Sequence, residues 1–162
     1  MGSVSVAGAP VTMLDLESCL GKAVAEVLAT MLNYQAIVVP RSDNRITPGL
    51  SAIVGFGGKI SGFIALHLTL EGACTLASGL LGMGFDEVDD IVSDAMGEVV
   101  NMLAGGLKKY ACQSEELFKI SIPSVIRGND YSTHAPKDSE QRILSVQAGP
   151  CSLTVQLVVE QH

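Results

Sequence analysis

The sequence predicts an α+β domain, a largely antiparallel β-sheet with helices packed on it. Three observations carry that prediction. The apolar pattern runs helix, strands, two helices, strands, without the strand–helix alternation that builds a parallel sheet. Two β-rich runs flank Gly57-Gly58, a pair that tolerates the positive φ values of a tight hairpin turn. Near the end, Leu153, Val155, Leu157 and Val159 alternate with Ser152, Thr154 and Gln156, the period of two that gives a strand one buried face.

The elements follow in order. Met13, Leu16, Leu20, Val24, Val27 and Met31 recur at helical spacing behind a capping box of Thr12 and Asp15, which predicts a helix ending near Asn33. An extended piece, Gln35–Pro40, leads into a surface loop with Arg41, Asp43 and Pro48. Leu50–Phe56 and Ile60–Leu68 form the hairpin about Gly57-Gly58, and Glu71–Leu81 is a short helix stopped by Gly82 and Gly84. Asp86, Glu87, Asp89 and Asp90 open a long helix, roughly Asp86–Lys109, that closes on Lys108 and Lys109 as the macrodipole prefers. Strands return at Leu117–Ile122 and Val125–Ile126. After a polar loop, Gly128–Glu140, the chain ends in a hairpin of Ile143–Ala148 and Ser152–Val159 turning at Gly149-Pro150.

With 162 residues the chain is expected to form a single domain, 1–162, large enough to bury a core without disulfides or metal. Its net charge of −7, with no Lys/Arg cluster, argues against nucleic acid and an anionic bilayer as partners. The longest apolar region, Leu50–Leu70, is interrupted by glycines, Lys59 and His67, so no membrane span is expected. The first residues carry no basic start and no long apolar run, which predicts a frayed terminus, no export and a cytoplasmic protein. Gly2 would suit myristoylation, but Val6 stands where that pattern wants Ser or Thr. Cys19, Cys74, Cys112 and Cys151 are widely spaced, predicting reduced and mostly buried thiols, no zinc site and no redox pair.

On the long helix, Val92, Met96, Val99, Leu103 and Leu107 form the stripe expected to pack on the sheet. Opposite them Asp94, Glu98 and Asn101 fall at i, i+4 and i+7, within a narrow outward arc to which Gly97 and Gly105 are also assigned. An interior helical glycine costs up to about 1 kcal/mol relative to alanine, and a smooth face for another macromolecule's backbone would offset that cost. A solvated helix face is the plain alternative. Two carboxylates on an open face also lack the burial and the water-excluding pocket that acid–base or metal chemistry requires.

The segment SDAMGEVVNMLAGG, Ser93 to Gly106, contains D-x-x-x-E-x-x-N before a Gly-rich turn and resembles the CheC, CheX and FliY chemotaxis phosphatases. The hairpin GFGGKISGFIALHL, the helices after it and IPSVIRG at Ile122–Gly128 are similar to the CheX branch in order and spacing. The resemblance implies a protein-aspartyl-phosphate phosphatase acting on a phosphorylated CheY-type response regulator. It implies Asn101 as the catalytic residue that positions the attacking water, with Glu98 docking on the receiver's lysine and Asp94 in support. Glu98, Gly97 and Gly105 would touch the partner. No metal of its own is implied, because the regulator supplies Mg²⁺. A homodimer is implied as well, and the apolar alternation of the C-terminal strands suits either edge-to-edge pairing or a covered edge.

A non-catalytic receiver-binding adaptor is the alternative, and a purely structural domain is a third reading. Glu26-Val27-Leu28-Ala29 aligns with Glu98-Val99-Val100-Asn101, but Ala29 replaces the carboxamide, so the first helix is expected to carry no second site. His67, His134 and His162 have no nucleophile beside them in sequence and are read as satisfied or solvated. Tyr34, Tyr110 and Tyr131 are read as packing or surface residues.

Overall fold

A computed structural model of the chain describes residues 4–6, 9–43, 45–46, 49–111, 118–127 and 136–160. Cys112, Tyr131, His134, His162 and the greater part of the polar loop expected at Gly128–Glu140 lie outside the described residues. The first pairing involves the start of the chain, expected to be frayed: β1, Val4–Val6, pairs antiparallel with β2, Ala9–Val11.

Helix α1 spans Met13–Leu32 and is opened by the expected capping box, in which the Asp15 amide donates to Thr12 Oγ1 (3.1 Å) and the Thr12 amide to Asp15 Oδ2 (3.0 Å). Asn33 closes it in the left-handed conformation, φ 58°. β3, Ile37–Arg41, follows, then β4, Leu50–Gly58, and β5, Gly62–Leu68. The hairpin exists as the sequence predicts, but its turn lies beyond Gly57-Gly58. Both glycines stay in β4 because they pair with Lys119 and Phe118 of β6, Phe118–Ile120. Helix α2, Leu70–Leu81, is capped by Thr69 and closed by Gly82 at φ 69°.

Helix α3 runs Asp90–Ala111, starting four residues after the predicted Asp86. The cause is Asp89, whose Oδ1 accepts from the Val92 amide at 2.9 Å, an N-cap that fixes the first turn. Asp86 and Glu87 therefore precede the helix. The chain then forms β6, β7 (Ser124–Arg127), β8 (Ser139–Ala148) and β9 (Cys151–Glu160). The two-residue turn of the last hairpin places Gly149 at φ 57°, and a Cβ there would lie 2.6 Å from the Tyr34 ring.

The strands form one antiparallel sheet in the order β3-β8-β9-β5-β4-β6, with β7 beside β6 on the same edge of β4. The C-terminal strands are thus interior, each edge of β8 and β9 being paired. One face of the sheet carries Ala52, Val54, Ile64, Leu66, Leu144, Val155 and Leu157, packed with Leu20, Val24, Leu76, Met96 and Leu103 of the helices in a single core. Val92, Met96, Val99, Leu103 and Leu107 are all buried as predicted. α3 also packs on α1, and Val100 and Ala104 are buried along with the stripe. The crossing is close: a Cβ on Gly106 would fall 2.6 Å from the Ala23 Cβ.

Hydrogen bonds link four strands on the opposite face. Ser51 Oγ lies 2.6 Å from His67 Nδ1, His67 Nε2 2.9 Å from Gln156 Oε1, and Gln156 Nε2 donates to Gln141 Oε1 at 3.0 Å. Because an amide oxygen only accepts, Nε2 carries the proton and Nδ1 accepts from the Ser51 hydroxyl. His67 is 3% exposed, and burial pushes its pKa below the ordinary value. Of the two readings the sequence left open, satisfied or solvated, His67 is the satisfied one. Cys74 and Cys151 are buried free thiols and Cys19 is half-buried, all three with pKa values raised first by burial. Among the described residues no helix is long and apolar enough to cross a membrane.

Candidate functional site

Asp94, Glu98 and Asn101 are all exposed on α3, opposite its buried stripe. Successive helical residues rise about 1.5 Å, so the three groups form a row along one ridge, Asn101 about 4.5 Å beyond Glu98. Among the described residues none hydrogen-bonds or ion-pairs with them. A row of two carboxylates and a carboxamide therefore stands in water, held only by the rigidity of the helix.

Gly105 continues that row, and a Cβ built on it would meet nothing within 4 Å. Gly97 does not. It is buried, and a Cβ there would touch Val125 Cγ2 at 3.6 Å and Pro123 Cγ at 3.7 Å. The expectation that Gly97 lies on the outward arc is corrected: roughly 100° per residue turns position 97 to the flank of the Glu98 ridge, where β7 covers it. The segment before β7 is fastened at several points. The Ser121 amide donates to Gly55 O (2.8 Å) and the Gly55 amide to Ser121 Oγ (2.9 Å). At the far end Arg127 Nη1 donates to Val88 O, just ahead of α3. These ties were invisible in the sequence because each joins residues far apart along the chain.

The first helix offers no equivalent row. Glu26 is engaged by Lys109 Nζ (3.2 Å) and by the Tyr110 hydroxyl, both from the last turn of α3. Glu26 thus fastens two helices together, and Ala29 beside it has no group that can hold water. Tyr110 contributes to this strut, while Tyr34 packs on the Gly149 turn.

Two clefts among the described residues lie elsewhere, one along Ile37, Val39, His67 and Thr154, the other along Leu70, Cys74, Phe85 and Glu87. Among the described residues no group of three or more His, Cys, Asp or Glu is arranged to hold a metal ion. The Asp94–Asn101 row is convex. It can insert into a recess on another molecule, but it cannot enclose a small substrate.

Fold and row together define an α+β domain that presents one face of a long helix outside its sheet. The chain belongs to the chemotaxis phosphatase CheX family, whose model matches residues 50–147. It is 33% identical over 89 residues to the CheY-P phosphatase CheX of Thermotoga maritima, an alignment covering 52% of this chain and 56% of that relative, so the match spans little more than half the relative's length. The crystal structure of chemotaxis protein CheX from Desulfovibrio desulfuricans superposes with a TM-score of 0.76 at 26% identity, covering 90% of this chain and 99% of the other. The CheX of a CheX–CheY–BeF3–Mg²⁺ complex from Borrelia burgdorferi has the same fold, TM-score 0.78 at 24% identity, covering 91% and 99%.

Proposed function

We propose that this chain hydrolyses the aspartyl phosphate of a CheY-type response regulator, with Asn101 positioning the attacking water and Glu98 docking on the receiver. The observation that carries this reading is the exposed, unpaired row of Asp94, Glu98 and Asn101 on a rigid helix. Family membership and the CheY-P phosphatase among its relatives support it.

The chemistry demands little of the helper protein. An acyl phosphate has a good leaving group, so the rate depends on placing one water in line with the P–O bond that breaks. The Asn101 carboxamide offers an acceptor and a donor at fixed angle, enough to hold that water by its O–H and leave a lone pair toward phosphorus. Water oxygen bonds to phosphorus, the bond to the aspartyl oxygen breaks, and the proton leaves on the phosphate. Glu98 pairs with the receiver's lysine and sets the register of insertion. Asp94 adds negative charge one turn away. Mg²⁺ on the receiver neutralises the phosphoryl oxygens; the Borrelia complex contains that ion together with CheY. Gly105 leaves room for the receiver's backbone.

We propose further that the protein is a homodimer, joined at the open edge of β3, where Ile37 and Val39 are 65% and 52% exposed. Phosphate release from a phosphorylated receiver, with and without the protein, tests the catalytic reading. Equal rates alongside tight binding would leave the adaptor reading instead.

A further inference from the structure

We propose that Ile122 is an apolar anchor for the receiver domain, setting the affinity of the complex while Asn101 sets its rate. This rests on the reading that a CheY-type receiver docks on α3. Ile122 is 88% exposed, the highest value among the exposed large apolar side chains of the described residues. Such exposure is unremarkable in a loose loop, but this backbone is tied down on both sides. Ser121 is held to Gly55 through two hydrogen bonds, 2.8 and 2.9 Å. Pro123 fixes its own φ and packs over Gly97 on the flank of α3, one residue before Glu98. Ile122 also has a β-branched side chain with few rotamers. The ordering cost of presenting this group is therefore already met before a partner arrives, which is how preorganised contacts gain affinity.

Position and chemistry indicate the occupant. Ile122 immediately precedes Pro123, whose ring rests against Gly97 one residue before Glu98, so the backbone that carries Ile122 runs along the flank of α3. Ile91, half-exposed and seven residues before Glu98, lies on the same arc of α3. A polar row bracketed by two isoleucines fits a partner whose phosphorylated recess is bordered by apolar side chains. The polar groups alone would bind weakly, since exposed ion pairs steer association and fix register more than they hold a complex together. Interface energy concentrates in a few buried anchors.

The test uses the full chain and a phosphorylated CheY-type receiver. Ile122→Ser is expected to raise KM roughly tenfold with kcat at saturation unchanged, the loss of one apolar anchor. Its melting temperature should match the parent, and Ile122→Leu should restore KM to within about twofold, since only apolar contact is needed. An unaltered KM in Ile122→Ser, with Asn101→Ala inactive in parallel, overturns the anchor and leaves the phosphatase reading standing. A lower kcat at unchanged KM also overturns it, as does a change in molecular mass by light scattering, which would place Ile122 between copies of this chain. If Asn101→Ala is itself fully active, the underlying reading fails, and the anchor fails with it.

Discussion

His67 makes its two hydrogen bonds only as the neutral ring, protonated on Nε2, so the native state resists taking a second proton. Burial holds its pKa below the ordinary 6.5, whereas in the unfolded chain the ring titrates near that value. The unfolded state then binds more protons, so stability is fully present above about pH 6.5 and is lost as the pH falls through that value toward the native pKa. Urea unfolding at about pH 7.5 and pH 5.5 should show this decline in the parent, and His67→Gln should flatten it while lowering stability at both pH values. An identical slope in the variant would show that His67 is not the titrating group. A strand position for His67 was legible in the sequence. Its partner Gln156 was not, because the pairing of β5 with β9 joins segments far apart in the chain.

Helix α3 was the most legible element, since a 3.6-residue apolar stripe and an opposite polar row leave few alternatives. Its start differs from the expected one because four acids within five residues, 86–90, mark a helix N-terminus without showing which one is the cap. Gly97 was misplaced for a related reason: a residue with no side chain does not declare its face, and the Pro123 and Val125 that cover it come from β7 and the segment before it. Gly105 is the opposite case. Nothing in the chain needs its missing Cβ, so Gly105→Ala should stabilise the protein by about 0.5–1 kcal/mol in chemical denaturation. If the receiver's backbone approaches there, the same variant should bind the phosphorylated receiver more weakly. Greater stability with unchanged affinity would mean that Gly105 serves no partner.

On the scale of the molecule, the antiparallel α+β architecture followed from periodicity, while strand order did not, because pattern alone cannot say which strands are neighbours. β8 and β9 read equally as edge or interior strands, and pairing puts them inside, leaving β3 at one open edge. Light scattering should accordingly give twice the chain mass of 16.9 kDa at micromolar concentration, and Val39→Lys should yield the monomer. A monomeric parent would refute pairing at β3. The candidate site was legible because its residues lie on one helix, where spacing alone determines a shared face. The features that frame it, the Ser121–Gly55 tie, the Pro123 contact and the Glu26 strut to α1, depend on long-range pairing that spacing does not encode. The central claim is that an exposed carboxamide accelerates hydrolysis on another protein without contributing to its own fold. Single-turnover dephosphorylation of a phosphorylated CheY-type receiver by saturating Asn101→Ala protein tests it most directly. A folded variant that still binds the receiver but cleaves at least about a hundredfold more slowly is the expected result, the loss typical of a positioned catalytic group; cleavage at the parental rate would contradict the account.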